Sequence, residues 1–248
     1  MSFLSYLING ISLGSIYAII ALGYTMVYGI ARMLNFAHGD IIMVGGFAIF
    51  TMVSTLGLPA PLGILTAVVI CTVLGVTIER VAYKPLRGAS SLAVLITAIG
   101  VSYLLQNLAL LIFGSNARQF TSVVTVPGLK LAGGALSISG ETIVTILSCI
   151  VIMVCLTQFI NRTKVGQAML AVSEDQGAAT LMGIDVNRTI AITFAIGSAL
   201  AAIAGALLCS TYPSLTPYTG SMPGIKAFVA AVFGGIGSIP GAMLGGVL

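Results

Sequence analysis

Asn35, His38 and Asp40 are the polar residues best placed to do chemistry, because they lie together in LNFAHGD at 34–40, between two apolar segments. An ionisable side chain inside a bilayer costs about 2.5–3.5 kcal/mol on insertion scales, so such a residue usually has a task. One interpretation is a gate or a substrate contact on a translocation path. The other is an interfacial loop that caps the next helix, with Asp40 near its N-terminus. The count of apolar segments favours the interfacial loop.

The apolar segment 92–113 supplies further polar candidates, namely Thr97, Ser102, Gln106 and Asn107. Polar side chains in a membrane helix form hydrogen bonds between helices more often than they line a pore. A single histidine is weak support for a metal site or a proton relay. The residues predicted for a translocation path are Asn35, His38, Thr97 and Asn107.

Composition indicates the class of protein to which these residues belong. The chain has 248 residues, of which 58% are hydrophobic and 6% are charged. Soluble domains carry roughly 25% charged residues, so this chain has too few charges to cover a water-facing surface. Apolar runs of about 20 residues recur, which is the length that a helix needs to cross a bilayer. We therefore predict an all-α polytopic membrane protein and exclude soluble enzymes, nucleic-acid binders and secreted modules.

Sequence motifs of enzymes are absent. The sequence contains no G-x-x-x-x-G-K-[ST] loop to cradle phosphates, no H-E-x-x-H metal motif and no candidate triad. The four cysteines all lie inside apolar segments, where cysteine usually serves as a small packing residue. We predict that the chain is not an enzyme and binds neither a metal nor a cofactor.

The densest polar stretch is 162–188, which holds six of the sixteen Lys, Arg, Asp and Glu residues and lies between two apolar segments. Ser173 followed by Gln176 fits a capping box, which predicts a short helix from Glu174 to Met182. Gly183 is suited to end that helix in a left-handed conformation. A second helical stretch, 164–172, is predicted to lead into it as an extension of the preceding span.

The short helix is predicted to present an apolar face to water. Ala178, Ala179 and Met182 share one side of it, and Glu174 and Asp175 give it an acidic start. Helices that lie on lipid headgroups usually carry Lys or Arg on one side and bulky residues on the other. The small and acidic residues here favour docking to another protein, with a seat on the lipid surface as the alternative.

Seven membrane segments are predicted, at about 6–29, 41–57, 62–82, 92–113, 141–160, 190–211 and 224–248. The last segment is rich in glycine and holds Pro240, so we expect it to be broken or re-entrant. Small residues at four-residue spacing, such as Gly10 and Gly14, predict close packing of helices within the chain or with a second subunit. Residues 1–248 form a single transmembrane domain in this interpretation.

Basic residues orient the loops. The loop at 80–90 carries Arg80, Lys84 and Arg87, and the loop at 161–189 carries three more Lys and Arg residues. The positive-inside bias places both loops in the cytoplasm and the N-terminus outside. The loop at 114–140 then lies outside, where its partial alternation around Gly133 and Gly134 predicts a small hairpin, with an unstructured loop as the alternative.

Three stretches resemble the permease subunits of branched-chain amino acid importers of the ATP-binding-cassette class. The first is LNFAHGD at 34–40, the second runs from RTKVGQAMLAVSEDQGAATLMGIDVNR into the span after it, and the third is AFVAAVFGGIGSIPGAMLGG near the C-terminus. The resemblance follows the whole chain in order. It implies a permease that passes a branched-chain amino acid through the bacterial inner membrane, with the region 163–183 docking on an ATPase.

The resemblance also implies partners and site residues. The partners are cytoplasmic ATPase subunits that use the ATP, a second permease subunit and a periplasmic substrate-binding protein, with no nucleic acid. The chain ends at Leu248 inside an apolar segment, where the family usually continues, so we expect a chain truncated at its C-terminus. The residues that the resemblance assigns to ATPase coupling are Gly166, Met169, Ser173, Glu174, Asp175, Ala178, Ala179, Met182 and Gly183.

Two alternatives stay open at this stage. An ion- or proton-coupled transporter or channel would use His38 and Asp40 as its coupling groups. Within the same importer class, urea, short-chain amides and sugars are possible substrates, since no residue in the sequence separates them from leucine.

Overall fold

A computed structural model describes residues 2–131 and 136–248. Six of its helical spans are long and apolar enough to cross a membrane, which confirms an all-α polytopic membrane protein. The π-helical and 3₁₀ turns at the ends of α2 and α3 extend those two spans to Thr55 and Leu86. The helices are α1 (Ser2–Ala31), α2 (His38–Phe50), α3 (Ala60–Ile78), α4 (Ser91–Phe113), α5 (Gly140–Arg162), α6 (Lys164–Glu174), α7 (Gln176–Leu181), α8 (Val186–Thr211), α9 (Ser221–Phe233) and α10 (Ile239–Val247).

The seventh predicted segment is broken, as the sequence indicated. It forms two short helices, α9 and α10, which are joined by a turn in which Gly235 and Gly237 have positive φ. The two helices fold back on each other, so that Gly234 lies against the backbone of Gly241 and Gly245 lies against that of Ala230. Neither helix is long enough to cross a bilayer alone.

The centre of the bundle is formed by α8 and α2, the most buried spans, while α4 and α5 are the least buried. Glycine allows this packing, because a Cβ at Gly205 would lie 2.6 Å from the Ile42 carbonyl oxygen and one at Gly45 would lie 3.0 Å from the Ala202 Cα. Helices in lipid associate through such close backbone approaches. Gly14 packs on the backbone of Val247 in the same way, whereas a Cβ at Gly10 would have no neighbour within 4 Å, so the predicted contacts form within the chain only in part.

The connecting segments lie at the two ends of the helical bundle, and they are divided between these ends as the charge pattern predicts. At one end, Arg32 contacts Ser173 and Glu174, and Arg87 contacts Asn187. At the other end lie four short strands, β1 (Arg118–Gln119), β2 (Leu129–Leu131), β3 (Leu136–Ile138) and β4 (Ser214–Leu215).

The strands form two antiparallel pairs. β2 pairs with β3, with Leu129 opposite Ile138, which confirms the predicted hairpin in the loop at 114–140. Its tip, with Gly133 and Gly134, lies outside the described residues. β1 pairs with β4, a contact that the sequence did not predict. The assignment of the basic end to the cytoplasm stays a prediction.

Candidate functional site

Asp40 is buried inside the helical bundle. Its side chain is 1% exposed, and its Oδ1 accepts a hydrogen bond of 2.9 Å from the Gln106 Nε2. Gln106 lies about 22 Å along α4 from its start at Ser91, at about 1.5 Å of rise per residue. The N-cap of α2 is Ala37, without a side-chain cap, and Asp40 lies in the first turn. Asp40 therefore lies at the N-terminus of α2, as the interpretation of 34–40 as a capping loop predicts, but its side chain is buried inside the bundle.

Gln106 joins three helices. Besides Asp40 on α2, its Nε2 lies 3.2 Å from the Ser102 Oγ one turn earlier on α4 and 3.2 Å from the Ser221 Oγ at the start of α9. Beside this group is a cavity of about 290 Å³. Its remaining wall is aromatic and aliphatic, formed by Tyr24, Phe36, Ile99, Tyr103 and Ile225.

The predicted path residues Asn35 and His38 are buried beside this cavity but do not line it. The Asn35 Oδ1 accepts a hydrogen bond of 2.9 Å from the Tyr83 hydroxyl. The His38 ring packs edge-on against Tyr24, with the ring centroids 4.6 Å apart, and its Nε2 has no hydrogen-bond partner among the described residues. A Cβ at Gly23 would touch this ring, so glycine on α1 makes room for the histidine. Both residues anchor the segment 32–37.

The other two predicted path residues are also away from the cavity. Thr97 is half-buried, and Asn107 is exposed on the outer side of α4, where its Nδ2 donates to the Tyr103 carbonyl oxygen of the same helix. Of the neighbours Gln106 and Asn107, only Gln106 lines this cavity, and a translocation role for Asn107 stays a prediction. Small residues at helical spacing, Ala98 and Ser102, mark the inward side of α4, and Gln106 is one turn beyond Ser102.

The short helix α7 begins at Gln176, because Asp175 caps it. The Asp175 backbone is extended, and its Oδ1 accepts from the N–H groups of Gly177 at 2.7 Å and Ala178 at 3.0 Å. Ser173 instead lies in the last turn of α6, where its hydroxyl donates to the Leu170 carbonyl oxygen. The predicted Ser173 capping box is therefore wrong. A carboxylate at the cap also interacts favourably with the helix dipole, which a serine hydroxyl cannot match.

Gly183 ends α7 as predicted. Its φ is +83°, and its N–H donates to the Thr180 carbonyl oxygen while that of Ile184 donates to Ala179. This is the Schellman arrangement. At the other side, α6 is a separate helix rather than an extension of α5, because Thr163 is extended and caps it by accepting from the Gly166 N–H.

The set of exposed residues in the loop at 161–189 differs in part from the predicted set. Leu181 is 90% exposed and Met182 is 82% exposed, and Ala178, Glu174 and Asp175 are exposed beside them. Three residues predicted for ATPase coupling are buried in the fold and cannot contact another protein: Gly166, Met169 and Ala179. We call the exposed residues Ala178, Leu181 and Met182, with the acidic Glu174 and Asp175, the α7 surface.

Arg32 links the end of α1 to this loop. Its Nη2 donates to the Ser173 carbonyl oxygen at 2.8 Å and to the Glu174 carbonyl oxygen at 3.2 Å. A cation at the last carbonyls of a helix interacts favourably with the negative end of the helix dipole. The Arg32 backbone is left-handed, with φ of +54°, and the chain turns there into the segment 32–37. That segment therefore joins the α6–α7 loop to the Asp40 cavity.

A buried ion pair at the same end joins three segments. Glu79 is 1% exposed and pairs with Arg87, and the Arg87 Nη1 also donates to the Asn187 Oδ1 at the start of α8. The burial of Glu79 shows that this ion pair holds the loop at 83–90 against the bundle.

Replacing Glu79 with glutamine is expected to lower the stability of the protein. Loss of one partner of a fully buried pair costs roughly 3–5 kcal/mol, and the cost here is smaller because the Arg87 side chain is 17% exposed. Thermal unfolding in detergent measures the effect. Arg80→Gln is the control, since Arg80 is adjacent and exposed. Equal unfolding temperatures for the two variants would show that the pair does not hold the loop.

Comparison with known proteins agrees with this architecture. Residues 6–248 match the family described as the permease component of the branched-chain amino acid transport system. The chain belongs to this permease family. It is 44% identical to the high-affinity branched-chain amino acid transport system permease protein LivH of Salmonella typhimurium, over 99% of this chain and 83% of that protein. It is 45% identical to BraD of Pseudomonas aeruginosa, again over 99% and 83%.

A sugar permease is similar to this chain over a shorter stretch. The xylose transport system permease protein XylH of Escherichia coli is 36% identical, but over 34% of this chain and 23% of that protein. No solved structure shows significant similarity to the chain. Six helices long and apolar enough to cross a membrane, together with the family match over residues 6–248, establish the permease as a multi-pass membrane protein.

Proposed function

We propose that this permease imports branched-chain amino acids across the bacterial inner membrane as one subunit of an ATP-driven importer. Similarity to LivH and BraD over 99% of this chain, against a partial match to a xylose permease, supports this substrate class over sugars. The permease itself binds no cofactor in this proposal. ATP is used by a separate ATPase, and a periplasmic binding protein delivers the substrate to this chain and a second permease subunit.

The α7 surface is the proposed docking site for the ATPase, and this observation carries the proposal. Leu181 and Met182 expose nearly all of their apolar side chains in a polar loop. Asp175 and Gly183 cap the helix at both ends, so the surface is held rigid. Docking sites gain most of their binding energy from a few residues that become fully desolvated in the complex, and exposed apolar side chains such as these can fill that role.

The segment 32–37 is the proposed route of coupling. Movement of the α6–α7 loop on ATP binding would pull on Arg32, which holds the Ser173 and Glu174 carbonyl oxygens. Asn35, bonded to Tyr83, and Asp40, bonded to Gln106, are three and eight residues farther along the chain. A displacement at the loop therefore reaches the cavity through a short and well-anchored stretch of backbone.

Reconstitution tests the proposed function. The permease, co-purified from its native host with its ATPase and its binding protein, is placed in proteoliposomes with ATP on the ATPase side. Uptake of labelled leucine that requires ATP and the binding protein is the expected result. Uptake that follows an imposed ion gradient without ATP would instead establish the ion-coupled alternative.

Replacing Arg32 with alanine is expected to lower the amount of leucine imported per ATP hydrolysed, because both hydrogen bonds to the α6 end are lost. ATPase docking should persist, since the α7 surface is unchanged. The ratio of uptake to phosphate release in proteoliposomes measures this. Arg188→Ala is the matched control, because it removes an exposed arginine from the same end. An unchanged ratio in the Arg32→Ala variant would exclude this route.

A further inference from the structure

The Asp40 carboxylate has no cationic partner within the described part of the chain. The single ion pair there joins Glu79 and Arg87. Lys226, on α9, lies with its Nζ 5.6 Å from the centroid of the Tyr17 ring and is exposed. The two side chains that donate hydrogen bonds to Asp40, Gln106 and Ser102, are both neutral. A buried charge without a counter-charge is costly, so such residues in membrane proteins pair with a cation or mark a substrate pathway.

The cavity beside Asp40 fits an organic cation better than a metal ion. Calcium takes six to eight oxygen ligands, whereas this cavity offers one carboxylate, and no group of metal ligands occurs among the described residues. Its walls carry Tyr24, Phe36 and Tyr103, and aromatic faces attract ammonium groups. The cavity reaches the surface of this chain, since the side chains of Ile99 and Ile225 at its wall are 42% and 52% exposed.

We propose that Asp40 binds the α-ammonium group of the transported amino acid. Gln106 holds the carboxylate in position, and the aliphatic side chain of the substrate packs against Phe36, Ile99 and Ile225. The identity of the substrate rests on the proposed function, but the preference for an ammonium group does not. Recognition of the amine inside the bundle explains why this permease places a single acidic residue among neutral partners.

Competition binding tests the site on the unmodified protein. Labelled leucine is bound to the permease–ATPase complex in nanodiscs, without the binding protein, and two leucine analogues compete. The first, 3-methylbutan-1-amine, lacks the carboxylate, and the second, 4-methylpentanoate, lacks the amine. The amine is expected to displace leucine, and the acid is not. Equal displacement by both analogues, or displacement by the acid alone, would overturn the proposal.

Asp40→Asn tests the residue itself. Loss of a charge-assisted hydrogen bond is expected to weaken leucine binding by at least about tenfold. Asp40→Glu, which keeps the charge, should bind leucine more tightly than Asp40→Asn. Asn107→Ala, an exposed residue of α4, should bind leucine like the wild type. Leucine affinity in Asp40→Asn within twofold of the wild type overturns the proposal.

The two proposals fail in different ways. If the wild-type complex imports no branched-chain amino acid, the proposed function is wrong, and binding of labelled 3-methylbutan-1-amine still decides whether Asp40 binds an ammonium group. If leucine uptake is normal in the wild type and in Asp40→Asn, the ammonium site is wrong and the proposed function stands.

Discussion

Replacing Leu181 with glutamate is expected to reduce ATP-driven leucine uptake by at least about tenfold, the effect of removing one apolar anchor from a docking site. Leu181 is 90% exposed, so the substitution removes no packing from the fold. The added charge joins Glu174 and Asp175 on the same loop, which increases the negative charge of the α7 surface. The loss should come from weaker binding of the ATPase, measured by the amount of ATPase that co-purifies with the tagged permease.

Val165→Glu is the matched control for this prediction. Val165 lies in the first turn of α6 in the same loop and is 39% exposed, but it is not part of the α7 surface. An acidic residue in the first turn of a helix is tolerated by the helix dipole. Wild-type uptake and full recovery of the ATPase in Leu181→Glu would exclude α7 as the docking helix. A loss shared equally with Val165→Glu would point to a general effect of charge on the loop.

Long apolar runs predicted the membrane spans well, because each helix must satisfy its own backbone hydrogen bonds in lipid. The start of α7 was harder to predict. Ser173 and Asp175 can both cap a helix. The choice between them depends on Arg32, which binds the carbonyl oxygens of Ser173 and Glu174. This contact lets α6 continue through Ser173. That contact joins residues 141 positions apart in the sequence, and helix propensity, which is a local property, does not predict contacts at that separation.

The depth of Asp40 was unpredictable for a related reason. A loop of six residues between two apolar segments normally stays at the membrane surface, and the segment 32–37 instead brings His38 against Tyr24 inside the bundle. The return depends on glycine at Gly23, Gly39 and Gly220, whose partners lie on different helices. The pairing of Arg118 with Leu215 could not be predicted either, since each strand has two residues.

Replacing Gly39 with alanine is expected to disrupt the Asp40 cavity and to abolish most leucine uptake. An added Cβ would lie 2.6 Å from the Gly220 carbonyl oxygen and 3.2 Å from the Gly224 Cα, so the start of α9 must move away from α2. Both neighbours are backbone atoms, which cannot rotate aside as a side chain can. Overpacking of this kind costs about 1–3 kcal/mol. The shift would also carry Ser221 away from Gln106.

Gly100→Ala separates this effect from a general loss of glycine. Gly100 lies on α4 and has no atom within 4 Å of the position that a Cβ would take, so uptake should stay at the wild-type level. ATPase co-purification should be normal in both variants, because the α7 surface lies at the end of the bundle and is formed by other residues. Leucine uptake in Gly39→Ala equal to that in Gly100→Ala would show that the contact between α2 and α9 is loose. A loose contact could not hold Ser221 within 3.2 Å of Gln106, and the geometry of the ammonium site depends on that distance.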